Sequence, residues 1–361
     1  MKVIHIISDC NAGGAQTHLL NVLREGGLYG FEIIVVCPSS GYYFDEYKKL
    51  SRKIYEVDFK RIPLAVLWEI RQILHKEQPH IVHNHMLAGC ILGSYAALGI
   101  RQLKVVNNLH GHFDPASKLE WVKVFFYKKV VSTSILWNCY FIAVSNDNLR
   151  QLEKMGIPRS VIFLIYNGVD TVHFQREMDI PSRQEDILKI VAVSRLHPAK
   201  GLDTLLDAAK GLSIQVEIAI VGDGPLEKHL KNRIEAERID NVKMFGYIKD
   251  VRPFLQSADV FIQPSYIESM GIAVAEGMAM GLPVIATNVG GIPELVEEGQ
   301  GGFLFQPGKA EALKHKILLL YYCSHDQLVQ MGRANRAKIE QEFSVGQMMK
   351  NIAALYDRIL A

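Results

Sequence analysis

Arg195 and Lys200 stand five positions apart in Ser194-Arg195-Leu196-His197-Pro198-Ala199-Lys200-Gly201, directly after an apolar run at 190–193. In a strand-to-helix loop such a pair can converge on a diphosphate, the guanidinium as a bidentate fork and the ammonium as a point charge. A solvated basic loop is the plain alternative. Two carboxylates follow in Pro264-Ser265-Tyr266-Ile267-Glu268-Ser269-Met270-Gly271-Ile272-Ala273-Val274-Ala275-Glu276-Gly277. The small apolar residues after Gly271 read as a helix, so Glu268 precedes it and Glu276 lies in its second turn. A carboxylate repels phosphate but accepts hydrogen bonds from the vicinal hydroxyls of a ribose or hexose. Acids beside a diphosphate-binding pair therefore suggest a sugar nucleotide. Taken singly, Glu276 also reads as an exposed helix residue and Glu268 as an acid favoured by the helix dipole. A glycosidase acid pair would leave Arg195 and Lys200 without a role.

A second phosphate-binding candidate lies near the start, in Asn11-Ala12-Gly13-Gly14-Ala15-Gln16 between a strand and a helical pattern. Paired glycines there let backbone amides approach an anion at the helix N-terminus, or serve only the geometry of the turn. Histidines form a third group. His83-Asn84-His85 and His110-Gly111-His112 each follow a strand, and alternate residues on an extended strand share a face. Two such pairs at one sheet edge would suit zinc, which makes a metal-dependent hydrolase the rival from another class.

The elements that must position these groups are short, apolar, β-branched runs between helical patterns. They fall at 3–7, 32–37, 81–83, 105–107 and 140–144, and again at 190–193, 216–221, 242–245, 260–263 and 283–286. This alternation predicts two doubly wound α/β domains, each around a buried parallel sheet. A length of 361 residues agrees, since one core rarely serves so long a chain. The polar stretch with Pro181 places a linker at 172–187, between domains at 1–171 and 188–343 that face each other across a cleft. Ser344-x-x-Gln347, then Met348, Ile352, Leu355, Tyr356 and Ile359 at helical spacing, predict a final amphipathic helix over 344–361.

Composition narrows the function classes. Forty Lys and Arg against 38 Asp and Glu give a net charge of +2, not the single-sign field of a nucleic-acid binder. Residues 1–180 hold 20 basic and 16 acidic side chains, so the first half carries the excess that an anionic partner would meet. The 5 cysteines are scattered without a C-x-x-C pair, which fits a reducing compartment. The apolar run before Asp9 is too short for a signal segment, and none approaches the ~20 residues of a membrane span. A cytoplasmic protein is expected.

Together these motifs resemble the family-4 glycosyltransferases of GT-B fold, and the likeness covers essentially the whole chain. It rests on Gly13-Gly14, the histidine in Asn108-Leu109-His110-Gly111, the turn Ile165-Tyr166-Asn167-Gly168-Val169-Asp170, Arg195 with Lys200, Gly222-Asp223-Gly224-Pro225, and the E-x7-E of Glu268 and Glu276. The resemblance implies a retaining transferase with a nucleotide-sugar substrate, UDP-linked by family frequency with GDP next, and a final helix crossing back onto the first domain. Arg195 and Lys200 would bind the diphosphate and stabilise the leaving group, Glu268 would orient the transferred sugar, and Glu276 would accept from the ribose. Amides near Met270, Gly271 and Ile272 would reach a phosphate, and Gly13 and Gly14 would approach the donor from the other domain. His110 would orient hydroxyls near sugar and acceptor, with His85, His112 and Asn167 on the acceptor side. Met270 stands where the family often has Phe, and His112 lies outside the general pattern. With no D-x-D motif in the sequence, a metal-independent reaction and no cofactor are expected.

An epimerase of the same fold is the nearest alternative, and product analysis separates the two. A non-enzymatic sugar-nucleotide sensor fits less well with a full set of charged donor contacts. Residues 118–129 mix Lys with Trp121, Phe125 and Phe126, which would suit either an anionic membrane surface or a core-packed helix with solvated lysines. The first reading predicts a lipid-linked glycan acceptor at the inner face of the cell membrane. Otherwise the acceptor is a glycan of surface polysaccharide biosynthesis.

Overall fold

The computed structural model describes residues 1–11, 13–111, 138–176 and 187–361. They form two compact units, one of Met1–Gly168 with Val345–Ala361 and the other of Val169–Ser344. Residues 112–137, and so His112 and the segment 118–129, lie outside the described residues.

The first unit holds seven parallel strands: β1 (Lys2–Ile7), β2 (Glu32–Cys37), β3 (Lys53–Glu56), β4 (Ile81–His85), β5 (Lys104–Asn108), β6 (Cys139–Ala143) and β7 (Ile162–Leu164), in the order β3-β2-β1-β4-β5-β6-β7. Both faces of the sheet are covered, which is why β1, β2 and β4 are buried along nearly their whole length. Ile4, Ile6 and Val82 pack with the helices Pro63–Glu77 and Met86–Ala97 on one face. Val3, Ile7 and Ile81 pack with α1 (Gly14–Glu25) on the other. The same face takes the last helix of the chain, Val345–Leu360, which buries Met348, Met349, Ile352, Leu355, Tyr356 and Ile359. Each such side chain contributes about 1.5–3 kcal/mol of burial, so this helix completes the core of the first unit.

The second unit has six parallel strands, β8 (Leu188–Val193), β9 (Val216–Val221), β10 (Val242–Met244), β11 (Val260–Gln263), β12 (Val284–Thr287) and β13 (Gly302–Phe305), in the order β10-β9-β8-β11-β12-β13. Residues at 169–176 belong to this unit. Arg336 donates to the carbonyls of Thr171, Phe174 and Ala279, and Arg176 to those of Gln256 and Ala258. In both sheets the first strand has the second on one side and the fourth on the other. Loops after the neighbouring strands β1 and β4, and after β8 and β11, thus leave the carboxyl edge on either side of the switch in winding, where doubly wound sheets bind ligands.

Candidate active site

In the second unit the loop after β8 carries Arg195 and Lys200, and the loop after β11 carries Glu268. Gly201 brings these two loops together, and Gly290 brings the loop after β12 against the second of them. Gly201 has φ +62° and leaves no room for a Cβ against the Pro264 carbonyl, and Gly290 has φ +55° and would collide with the Glu268 carbonyl. Any side chain at either position would face both clash and left-handed strain. Tyr266 donates its amide to the Ala199 carbonyl at 2.8 Å, and buried Thr287 donates its hydroxyl to the Ser265 carbonyl at 2.7 Å. So held, Lys200 Nζ lies 2.5 Å from Glu268 Oε1 in a mostly buried ion pair. The same oxygen accepts from Ser265 Oγ at 3.0 Å and, more weakly, from Gln263 Nε2 at 3.4 Å. Sequence reasoning passed over Gln263 and Ser265. Their position at the end of a buried strand was the available signal.

Arg195 is exposed, and among the described residues no carboxylate pairs with it. Its backbone is fixed all the same, because Leu196 donates to the Asp223 carbonyl at 2.6 Å and accepts from the Leu226 amide at 3.0 Å. Among the described residues the guanidinium is an unpaired cation on a held loop. Met270 is buried, and Gly271 with φ +92° starts the eight-residue helix Ile272–Ala279 after β11, with Ile272 half-buried. Glu276 projects from that helix half-buried, and no donor reaches its carboxylate among the described residues. Loss of solvation alone raises its pKa to about 7. A desolvated acceptor without a donor suits neighbouring hydroxyls that the protein does not supply.

The first unit carries a different set. His5 on β1 and His83 on β4 are register partners, and His85 lies two residues along on the same face. His18 joins them from α1 and His110 from the loop after β5. All but His110 are fully buried. His5 Nδ1 lies 2.9 Å from His85 Nε2, His85 Nδ1 lies 3.0 Å from His110 Nε2, and His83 Nδ1 meets the Tyr356 hydroxyl at 2.6 Å. Burial pushes the pKa of His5 to about 3 and of His18 to about 4, and holds His83, His85 and His110 well below the usual histidine value. All five are neutral at pH 7. Asn167 is buried, and Asn21 secures the same turn through the Gly168 carbonyl at 3.1 Å.

Two trios, His5 with His83 and His85, and His18 with His85 and His110, bring ligand nitrogens within 4.8 Å of one another. His5 and His18 went unremarked in the sequence, although a parallel β1–β4 pairing puts His5 beside His83. Gly13 caps α1 in extended conformation and Gly14 is the first residue of that helix.

The comparisons with known proteins fit this geometry. Residues 12–173 match the model of Glycosyltransferase Family 4, and residues 174–338 that of Glycosyl transferases group 1. The chain is 30% identical over 291 residues to the amylovoran biosynthesis glycosyltransferase AmsK of Erwinia amylovora, covering 75% of this chain and 68% of that protein. It is 33% identical over 218 residues to WcaL of Escherichia coli (strain K12), a protein named for colanic acid biosynthesis, covering 57% of this chain and 53% of WcaL. The match thus spans about half the length of WcaL. Among solved structures, Anabaena HepE in complex with UDP-glucose superposes with a TM-score of 0.83 at 21% identity, over 99% of this chain and 100% of that one. Two parallel-sheet α/β domains of this kind define the GT-B fold. The chain belongs to the family-4 glycosyltransferases.

Proposed function

We propose that this protein transfers one sugar from a UDP-sugar to a hydroxyl of a surface-glycan acceptor, free or lipid-linked, with retention of configuration and without a metal. The observation that carries the reading is the carboxyl edge of the second sheet, where a guanidinium and a Glu276 carboxylate without partners among the described residues, and an ammonium held by Glu268, share two loops and the helix that follows the second. HepE, with UDP-glucose bound, and the polysaccharide names of AmsK and WcaL support the donor and acceptor classes.

Negative charge grows on the diphosphate as the glycosidic bond breaks. Arg195 and Lys200 stabilise it there, the kind of preorganised charge that supplies several kcal/mol of catalysis. Lys200 then answers to two anions, the diphosphate and Glu268, and Glu268 is left to accept from hydroxyls of the transferred sugar. Glu276 accepts from the ribose, while amides at Met270, Gly271 and Ile272 contact phosphate. His110 is neutral and orients hydroxyls, with His85, Asn167 and His112 on the acceptor side. It does not need to store a proton.

No helix among the described residues is long and apolar enough to cross a membrane. Contact of residues 118–129 with anionic lipid stays part of the proposal. Co-sedimentation with phosphatidylglycerol vesicles tests it, and absence of binding refutes it.

The transfer itself is tested by incubating the protein in EDTA with single UDP- and GDP-sugars and a lipid-linked glycan fraction. Product formation from a UDP-sugar, with the donor's anomeric configuration kept by NMR, is the expected result. A sugar nucleotide epimerised without acceptor, or acceptor hydrolysed only with zinc, would replace the proposal with one of its rivals.

A further inference from the structure

The histidines of the first unit are more ordered than a packed cluster requires. His5, His85 and His110 are joined by N···N contacts of 2.9 and 3.0 Å, with ring centroids 5.2 and 5.3 Å apart and rings inclined by 17° and 19°. Centroids stand that far apart across one such contact only when the contact lies in line with both rings. The three imidazoles therefore run end to end, and His85 uses both of its nitrogens.

We propose that His85, backed by His5, is a positioning residue that sets the tautomer of His110, so that His110 turns Nδ1 toward a substrate hydroxyl with one defined polarity. The inference rests on the reading of His110 as the residue that orients hydroxyls.

A neutral imidazole has one N–H and one lone pair. If His5 Nδ1–H donates to His85 Nε2, the His85 proton sits on Nδ1 and donates to His110 Nε2, and His110 keeps its own proton on Nδ1. Run the other way, His110 donates from Nε2 and offers a bare Nδ1. A mixed state sets N–H against N–H, or lone pair against lone pair, in a low-dielectric interior where nothing screens the loss. The chain thus has two states, and each fixes what Nδ1 offers.

Both terminal nitrogens, His5 Nε2 and His110 Nδ1, are buried without a partner among the described residues, and His110 is the end that lies in a half-buried loop. A native site satisfies such a group with water or ligand. The His110 backbone has φ +52°, an uncommon conformation for a residue with a side chain, and such outliers cluster at functional sites. The chain geometry also weighs against the same nitrogens converging on a metal. In each trio a His85 nitrogen is already aimed at a ring neighbour.

The test is long-range ¹H–¹⁵N correlation of the histidine rings in the full-length protein without substrate, with His110 assigned by the spectrum of His110→Asn. One protonated and one bare nitrogen at His110, without averaging, is expected in the wild type. His85→Phe should average them, and His5→Phe should do so in part if the first variant fails to fold. His85→Gln should restore the lock, because its amide both accepts and donates.

In transfer assays His85→Phe should raise KM for the acceptor or lower kcat by roughly 10- to 100-fold, the range for a misplaced catalytic group, with UDP affinity unchanged and Gln recovering much of the loss. Averaged His110 nitrogens in the wild type would overturn the proposal whatever the activity. So would a metal-shifted ring nitrogen with stoichiometric zinc in the purified protein. A locked His110 in a protein that transfers no sugar would leave the chain standing and defeat the functional reading instead.

Discussion

Behind the carboxyl edge of the first sheet five imidazoles lie together, all neutral, their pKa values lowered by burial. At the edge of the second sheet an exposed Arg195, a Lys200–Glu268 ion pair and a half-buried Glu276 take the corresponding loops. The winding is shared, with the first strand of each sheet between the second and the fourth, so the backbone does not set the difference. One edge offers hydrogen bonds that carry no charge, suited to hydroxyls. The other offers charge, suited to a diphosphate that gains charge as it leaves.

The largest expected break in this contrast is Arg195→Ala. Transfer should fall roughly 10²- to 10³-fold, as when one preorganised stabiliser of a developing charge is lost. His110→Ala should cost transfer roughly 10- to 100-fold and leave UDP affinity within about twofold, because its proposed role is to orient hydroxyls and not to hold the diphosphate. Initial rates and calorimetry on the same preparations separate the two effects.

Glu276→Gln sharpens the comparison through pH. The free carboxyl titrates near pH 7, and ribose hydroxyls favour its ionised form, so binding should lower its pKa and release a proton. Wild-type affinity for UDP should then decline as pH falls through 7, whereas the Gln variant, weaker by roughly tenfold at pH 8, should show no such decline. The folded-state pKa of Glu276 also lies above its unfolded value. Between about pH 4.5 and 7 the native state binds the extra proton, so this group makes folding less favourable as pH rises and Gln should raise the Tm at pH 8.

The smallest effect belongs to Tyr356→Phe, which removes the hydrogen bond to His83. It should cost about 1–3 kcal/mol in urea unfolding and leave UDP affinity unchanged.

Much of the scaffold was legible because interior parallel strands must be apolar throughout. The runs at 32–37, 216–221 and 260–263 coincide with β2, β9 and β11. The strands that went unread, β3, β7 and β13, are all outermost in their sheets. Bonded on one side only, Lys53–Glu56 has just two apolar or aromatic residues between charged ends, and Ile162–Leu164 is too short to show a pattern. In the candidate site, Arg195, Lys200, Glu268 and Glu276 stand out because they are charged residues at close spacing directly after buried apolar strands. His5 does not, since one histidine inside an apolar strand shows nothing until the register sets it across from His83. Nor does the Lys200–Glu268 pair, which spans 68 residues of sequence.

The central claim is that the charged edge of the second sheet, Arg195 foremost, holds the donor diphosphate. Calorimetric titration of UDP in EDTA against wild type and Arg195→Ala tests it most directly. The account predicts saturable binding to the wild type that the variant loses by at least tenfold, about 1.4 kcal/mol. Equal affinity for the two proteins, or binding that appears only when a divalent metal is restored, would contradict it.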